Sequence, residues 1–416
     1  MGTSLGASLE QFVNAIANLF NSGTLDDMIP RTAHTTLKRM AKGFPVIAIT
    51  GPRQSGKTTL ARAAFPDKPY LSLEDPDMRL LAESDPRGLL SRFPDGVILD
   101  EVQRTPELLS YLQTFVDAET IPGKYVLTGS QQFGLLSGIT QSLAGRVGMV
   151  QLLAFGMEEL QVAAKLPENL DQLLFQGFYP PLYDRDIFPG DWFAGYVGTY
   201  VERDVRQLLS VRDLSTFQRF LKMCAARTGQ LLNLSSLAAD CGITHNTASA
   251  WLSVLEASYI VFLLRPYYRN FNKRLVKTPK LYFCDTGLAG WLLGIREPMQ
   301  IAFHAQRGAL FENLVVMEAL KSYLNRGLPP DIYFWRDSRG LEVDLLLESA
   351  EELKPVEIKA GQTIAADFFH SLKKWCELSG RGEKPAWLVY GGDREAQNGH
   401  VTIIPWSKLP NLLLNI

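Results

Sequence analysis

The chain has 416 residues, of which 46% are hydrophobic and 21% charged, so it has room for roughly two to four domains with substantial cores. Its formal net charge of −2 at pH 7 excludes nucleic-acid binding through the field of the whole molecule, and any such affinity must come from a local basic patch. No apolar run reaches the roughly 18 residues that cross a bilayer, and the cysteines form no C-x-x-C pair, so we expect a soluble cytoplasmic protein with no membrane contact, zinc site or disulfide framework.

The first segment of the chain, residues 1–30, carries an amphipathic helical pattern. Apolar side chains recur at helical spacing at Leu9, Phe12, Val13, Ile16, Leu19 and Phe20. The segment has no basic start and contains Glu10, unlike a secretion signal. We therefore predict a helix that docks on the following domain.

A phosphate-binding loop comes next. Residues 44–50 predict a buried strand and residues 59–65 a helix. Between them, the spacing G-x-x-x-x-G-K-T places backbone amides around a polyphosphate, a lysine at its terminal phosphates and a hydroxyl on Mg²⁺. We predict that ATP binds through Gly51, Pro52, Arg53, Gln54, Ser55, Gly56, Lys57, Thr58 and Thr59.

Two carboxylates end the next apolar strand, residues 96–101. Asp100 is suited to hold Mg²⁺ together with Thr58, and Glu101 to polarise the water that attacks the γ-phosphate. Acidic residues also favour helix N-termini, which is the alternative interpretation. Their position at a strand end, downstream of a phosphate loop, favours the catalytic interpretation.

Two further polar residues complete the predicted ATPase site. The strand at 124–131 ends in small polar side chains, of which Ser130 is placed to sense the γ-phosphate. Arg146 follows a glycine in an apolar setting and is a candidate arginine finger, which a neighbouring subunit would supply in trans. A structural ion pair is an equal alternative for Arg146.

Taken together, these motifs resemble the prokaryotic AAA-type ATPases whose C-terminal half is a domain of unknown function. The matching pieces are the phosphate loop and the segments 70–76, 99–103, 127–130 and 143–146. The resemblance runs through almost the whole chain. It implies an α/β fold with a P-loop AAA-type core, a parallel sheet flanked by helices, followed by a helical and winged-helix region and a restriction-endonuclease-like α/β domain.

A helix-turn-helix pattern occupies residues 234–260. A short apolar helix face precedes the turn at 241–243, and Thr244 caps a second helix. That helix would expose His245, Asn246 and Thr247 near its N-terminus, where a recognition helix meets DNA bases. Winged helices also dock proteins, so a protein partner is the alternative.

A basic segment without acidic residues follows at 265–280. Basic side chains interleaved with aromatic ones suit phosphate contacts and base stacking. We predict DNA contacts at Arg265, Arg269, Lys273, Arg274 and Lys277, with the segment serving as the wing. A solvated hairpin whose aromatic rings pack inward is the alternative.

The last third of the chain carries a second acidic constellation. Residues 341–347 and 355–359 predict neighbouring strands, and side chains two apart share a face of a strand. Glu357 and Lys359 therefore point the same way, and a hairpin brings Asp344 beside them. Carboxylates with a lysine around one cleft can hold a divalent metal and help to cleave a phosphodiester.

This constellation resembles the PD-(D/E)XK nuclease fold, in which an acidic residue from an earlier helix often completes the site. Glu312 has that order and context, so the predicted ligands of a second divalent metal are Glu312, Asp344 and Glu357, with Lys359 as a non-ligand. An exposed ion pair is the alternative. Domains of this fold can also lose activity and persist as binding modules.

The predicted borders follow these signals: a helix (1–30), the ATPase domain (31–155), a lid or connector (156–191), the helical and winged-helix region (192–300) and the nuclease-like domain (301–416). We expect an ATP- and Mg²⁺-dependent ATPase that couples nucleotide state to DNA binding or remodelling. A homo-oligomer, such as a hexameric ring, would let Arg146 act in trans. The rival is a nucleotide-gated, protein-binding or signalling switch with a degenerate nuclease-like domain.

Overall fold

The computed structural model describes residues 28–130, 142–201, 213–268, 276–349 and 352–414. The predicted N-terminal helix lies outside the described residues except for 28–30. The chain forms two compact units, Met1–Gly51 with Gly56–Leu152 and Pro52–Ser55 with Leu153–Ile416. The finer domain borders stay predictions beside this division. Within the described ranges, every helix is too short or too polar to cross a membrane.

The first unit is a parallel β-sheet between two layers of helices. Its strands are β1 (Val46–Thr50), β2 (Tyr70–Ser72), β3 (Val97–Asp100), β4 (Tyr125–Gly129) and β5 (Val147–Gln151). Its helices are α1 (Ala33–Met40), α2 (Lys57–Ala64), α3 (Pro76–Ser84), α4 (Pro86–Ser91) and α5 (Leu108–Ala118). The predicted α/β class with a helix-flanked parallel sheet is confirmed for this unit.

Both faces of this sheet are buried. Ile47 and Ile49 of β1 pack in one core with α1 and α2. Val46 and Ala48 pack in the other core with α3, α4 and α5. A strand that is covered on both faces has no solvent side, which is why β1 appears in the sequence as an unbroken apolar run.

The strand order places the carboxyl ends of β3, β4 and β1 side by side. The order is β2-β3-β4-β1-β5, and all pairs are parallel. The helix after β1 covers one face and the helices after β2 and β3 cover the other. Connections therefore diverge beside β1, and such a switch point at the carboxyl ends of the strands is where α/β sheets bind ligands.

The second unit begins with helices around a small antiparallel sheet. Its first helices are α6 (Met157–Val162), α7 (Leu170–Gln176), α8 (Pro181–Asp184), α9 (Pro189–Tyr196), α10 (Leu214–Ala225), α11 (Leu234–Cys241) and α12 (His245–Ala257). The sheet has the order β6-β8-β7. Its strands are β6 (Gln230–Leu231), β7 (Val261–Leu264) and β8 (Lys280–Phe283).

A six-stranded mixed sheet forms the rest of the second unit, in the order β13-β14-β12-β11-β10-β9. Its strands are β9 (Ile332–Arg336), β10 (Glu342–Ser349), β11 (Glu352–Lys359), β12 (Ala386–Tyr390), β13 (Ala396–Asn398) and β14 (Val401–Pro405). The remaining helices are α13 (Thr286–Leu292), α14 (Pro298–Phe303), α15 (Arg307–Asn325), α16 (His370–Leu378) and α17 (Leu409–Leu413). Helix α16 packs on an apolar core of this sheet, and α15 contacts β11.

Candidate functional site

The phosphate loop joins β1 to α2 in a backbone conformation that requires glycine. Gly51 has φ 152° and Gly56 has φ 86°, both in the region that L side chains rarely adopt. A Cβ at Gly51 would also meet the carbonyl oxygen of Leu152. The left-handed Gly56 lets α2 begin at Lys57, and a helix N-terminus of this kind favours an anion. Lys57 is buried and Thr59 is exposed.

Asp100 sits at the end of β3 and receives hydroxyl groups from three elements. Thr58 Oγ1, on α2, lies 3.1 Å from each carboxylate oxygen. The Tyr70 hydroxyl donates to Oδ2 at 2.6 Å, and Thr128 donates to Oδ1. Burial, and then the charge of Asp100, raises the pKa of Tyr70, so its hydroxyl stays protonated and donating. Thr58 and Asp100 offer the hard oxygen ligands that Mg²⁺ prefers, and the donor set therefore fits that ion.

Glu101 is held beside Ser130 in a strained backbone conformation. Its φ of 55° lies in the left-handed region, which non-glycine residues adopt mostly at special sites. Ser130 Oγ donates to Glu101 Oε2 at 3.0 Å, and Gln103 Nε2 donates to the same oxygen. Gln103 also lies 3.3 Å from Ser130. Although Glu101 precedes a short 3₁₀ turn, its side chain makes no capping bond, so the geometry gives no support to the N-cap alternative.

Arg146 forms an ion pair within the first unit. Its Nε lies 2.5 Å from Asp117 Oδ1, and Nη2 lies 3.1 Å from Oδ2. Both side chains are partly exposed, at 35% and 44%. This geometry agrees with the structural ion pair, one of the two interpretations of Arg146 from the sequence. A role as an arginine finger in trans stays a prediction.

The predicted DNA-contact residues fall at a helix-turn-helix and its flanking strands. Gly242, with φ 70°, ends α11, and Thr244 Oγ1 accepts from the Thr247 amide at 3.1 Å to cap α12. His245 and Asn246 are exposed in the first turn of α12. Among the basic residues, Arg265 and Lys277 are exposed. The rest of the predicted set lies outside the described residues: Arg269, Lys273 and Arg274.

The second acidic constellation is brought together on one face of the six-stranded sheet. Strands β10 and β11 pair antiparallel, and Leu345 opposite Val356 is the outermost pair of their register. Asp344 and Glu357 are the adjoining residues of the two strands. The Ile358 amide donates to Asp344 Oδ2 at 2.8 Å. Lys359 Nζ lies 2.6 Å from Glu357 Oε1 and 3.8 Å from Asp344 Oδ2.

Two residues outside the predicted set enter this cluster. Carboxylate oxygens of Glu312, Glu342 and Asp344 lie within 4.8 Å of one another, a grouping that could hold a metal ion. Lys280, from β8, already pairs with Glu312 at 2.8 Å and with Glu342. The period-two rule applied to Asp344 would have found Glu342, whereas no local signal in the sequence points to Lys280.

Burial controls the proton affinities of this cluster. Burial, and then the charge of Asp344, raises the pKa of Glu357 to about 8 against the opposing effect of Lys359. Burial likewise raises the pKa of Glu312, with Lys280 opposing it. For Lys280, burial acts to lower the pKa, but the surrounding carboxylates outweigh it and the pKa is raised. The lysine therefore remains a cation at neutral pH.

A parallel sheet whose strand ends present a phosphate loop, Asp100 and Glu101 gives the first unit a P-loop ATPase-like fold. The family model described as an AAA domain matches residues 43–161. Two domains of unknown function match the remainder, DUF8612 over residues 167–299 and DUF4143 over residues 307–409.

Two mycobacterial proteins identify the family of the whole chain. The uncharacterized proteins Rv2008c of Mycobacterium tuberculosis and Mb2031c of Mycobacterium bovis are each 33% identical to it over 338 residues. The match covers 80% of this chain and 74% of each relative. The chain belongs to the same family as these proteins.

Solved ATPase structures are among the proteins to which this chain is similar. The Walker-type ATPase PABY2304 of Pyrococcus abyssi is 16% identical with a TM-score of 0.40, covering 64% of this chain and 97% of that chain. The AMPPCP-bound DnaA of Aquifex aeolicus is 16% identical with a TM-score of 0.29, covering 54% and 85%.

Proposed function

We propose that this protein hydrolyses ATP and couples its nucleotide state to DNA binding or remodelling. The observation that carries the hydrolysis step is the contact of Thr58, at the start of α2, with Asp100, and of Glu101 with Ser130, at the neighbouring ends of β3 and β4. Lys57 would neutralise the terminal phosphates, and Thr58 with Asp100 would hold Mg²⁺. When bound, Mg²⁺ would neutralise the charge that develops on the phosphate oxygens.

Glu101 is the group that would activate the attacking water. Ser130 and Gln103 both donate to Oε2, and Oε1 can then accept a proton from a water aimed at the γ-phosphate. In this arrangement Ser130 orients the carboxylate, which refines its expected role as a phosphate sensor. Because the same hydroxyl can reach only one acceptor at a time, a bound γ-phosphate would compete with Glu101 for it.

The DNA part of the proposal is supported by residues 234–283. A capped second helix exposes His245 and Asn246, and an antiparallel strand pair, β7 and β8, follows it. Exposed Arg265 and Lys277 flank the intervening segment. Exposed cations contact phosphates, and the exposed N-terminal turn of a recognition helix is where side chains meet base edges.

DNA cleavage by the second acidic site is the finer part of this proposal. A divalent metal would be held by Asp344 with Glu312 and Glu357, and Lys359 would help to stabilise charge on the phosphate. Together with Glu342, these make four carboxylates, whose oxygen donors such ions prefer. The geometry also contains an obstacle, because Lys280 pairs with two of the carboxylates.

That obstacle favours a second candidate function. A cluster whose carboxylates are paired with a buried lysine resembles a structural network more than a free metal site. The protein would then be a nucleotide-gated switch that uses its C-terminal half to hold a protein partner. In that case ATP turnover would respond to a protein and not to DNA.

ATP hydrolysis by the wild type and by Glu101→Gln tests the proposal. We expect the variant to lose about 100- to 10,000-fold in kcat while retaining ATP binding, and the exposed neighbour variant Glu107→Gln to behave as wild type. Each protein is assayed with single-stranded, duplex and branched DNA at low and moderate salt. Salt-sensitive stimulation by one DNA form would support the DNA proposal. If ATP turnover is the same with and without each DNA, the DNA proposal is overturned and the protein-binding switch remains.

A further inference from the structure

Lys280 occupies the position that a cation would take among the carboxylates of the second site. Its ammonium group donates to Glu312 Oε1 at 2.8 Å and pairs with Glu342 Oε1. The side chain is only 3% exposed. Lysine is rarely buried unless it is paired, so these carboxylates are what keeps it inside. The cluster therefore already selects a positive charge.

A buried carboxyl oxygen beside the cluster has no hydrogen-bond partner among the described residues. Glu357 is 3% exposed, and its Oε2 has no hydrogen-bond partner among the described residues. Glu357 lies near Asp344, because Lys359 Nζ is 2.6 Å from Glu357 Oε1 and 3.8 Å from Asp344 Oδ2. A buried carboxylate oxygen without a partner is costly, and a cation ligand is one way to satisfy it.

Oxygen donors converge here from three separate elements. Glu312 comes from α15, Glu342 and Asp344 come from β10, and Glu357 comes from β11. Two of these carboxylates are oriented by other groups: Tyr282 donates to Glu312 at 2.6 Å and Arg336 to Glu342 at 2.7 Å. Carboxylates fixed by outer partners are what a metal ion needs in order to bind tightly.

We propose that the Glu312–Glu342–Asp344 cluster is a single cation site for which the Lys280 ammonium and a divalent metal of the Mg²⁺ or Mn²⁺ class compete. Glu342 is then a metal ligand that the nuclease-like pattern does not include. Lys280, on strand β8 of the small sheet, competes with the metal for these carboxylates. Metal enters only when the flexible lysine side chain swings out, and the lysine returns when the metal leaves.

Lys280→Met tests this competition, because methionine fills much of the lysine volume and removes the charge. Mn²⁺ binding is measured on the full chain without ATP or DNA by electron paramagnetic resonance. We expect the variant to bind Mn²⁺ at least about tenfold more tightly than the wild type at one site. Lys280→Arg, which keeps the charge, should bind as the wild type does. Lys280→Met with Glu342→Gln should lose the gain.

A second readout covers the case in which Lys280→Met is unstable without metal. Its melting temperature, followed by tryptophan fluorescence, should then rise with Mn²⁺ much more than that of the wild type, since a ligand that binds only the native state stabilises it. A folded variant without tighter Mn²⁺ binding overturns the proposal. So does a variant that Mn²⁺ fails to restore. Neither readout uses catalysis, so failure of the ATPase or nuclease proposal is a separate result.

Discussion

The Asn313 side chain, on helix α15, hydrogen-bonds to the backbone of strand β8 and so keeps Lys280 close to Glu312. Its Oδ1 accepts from the Phe283 amide and its Nδ2 donates to the Phe283 carbonyl, both at 2.8 Å. Strand β6 pairs only with residues 280 and 281 of β8, so the Asn313 side chain takes the place of a strand neighbour beyond its end. The Thr228 hydroxyl also donates to Asn313 Oδ1 at 2.9 Å.

Replacing Asn313 with alanine would therefore leave two buried backbone groups without partners. Asn313 and Phe283 are both fully buried, at 0% exposure. Each orphaned group costs about 1–3 kcal/mol, so we expect Asn313→Ala to lower the free energy of unfolding by about 2–6 kcal/mol. Thr228→Val removes one hydroxyl and leaves the pairing with Phe283 intact. That control should cost only about 0.5–1.5 kcal/mol.

Tryptophan fluorescence reports this unit selectively. All seven tryptophans lie between residues 192 and 406, within the second compact unit. Urea unfolding followed by this signal gives the free energy of unfolding as seen by the second unit. If Asn313→Ala stays within about 0.5 kcal/mol of the wild type, as surface substitutions do, the pairing with Phe283 is not what holds β8.

Three further outcomes follow from single contacts. Tyr70→Phe removes the 2.6 Å bond to Asp100, so about 10- to 100-fold more Mg²⁺ should be needed for ATP hydrolysis in a Mg²⁺ titration. Lys321→Met removes the ammonium group that lies 2.7 Å from the buried Glu318 carboxylate. The free energy of unfolding, followed by fluorescence, should fall by about 3–5 kcal/mol and should largely recover when Glu318→Gln is added. Asp213 caps α10, and its hydrogen bonds, first that from the Thr216 hydroxyl, lower its pKa to about 2. The stabilisation that the ionised Asp213 gives to the fold is present above the ordinary pKa of an aspartate and is lost as the pH falls through about 2. The free energy of unfolding of Asp213→Asn should therefore differ from that of the wild type at neutral pH and converge with it in acid.

The ATP site could be predicted because its parts are contiguous in the sequence. The phosphate loop needs a strand, a glycine spacing and a helix, all within residues 44–65. The partners of Asp100 could not be found that way. Tyr70 and Thr128 reach it only because β2 and β4 flank β3, and strand order is a property of the whole sheet. The sequence shows that Tyr70 and Thr128 lie in strands, but it does not show that both contact Asp100.

The second site shows a different limit. Alternation along β10 and β11 was enough to place Asp344, Glu357 and Lys359 on one face. The same alternation includes Glu342, two residues before Asp344, so that ligand candidate was within reach of the sequence. Lys280 was not, because its local context is a basic segment and its partners lie more than thirty residues away, at Glu312 and Glu342.

Lys280 and Lys277 are close in the sequence but belong to different predicted sites. Charge density placed it at the end of the basic segment, yet it is buried among carboxylates whereas Lys277, three residues earlier, is exposed. Lys277→Ala should therefore weaken DNA binding, reduce its salt dependence by about one phosphate contact and leave Mn²⁺ binding unchanged. Lys280→Met should change Mn²⁺ binding and leave that salt dependence unchanged, as measured by DNA titrations at several salt concentrations. If instead Lys280→Met lowers the salt dependence, its ammonium leaves the cluster to contact DNA, and β8 then carries one cation that serves both sites in turn.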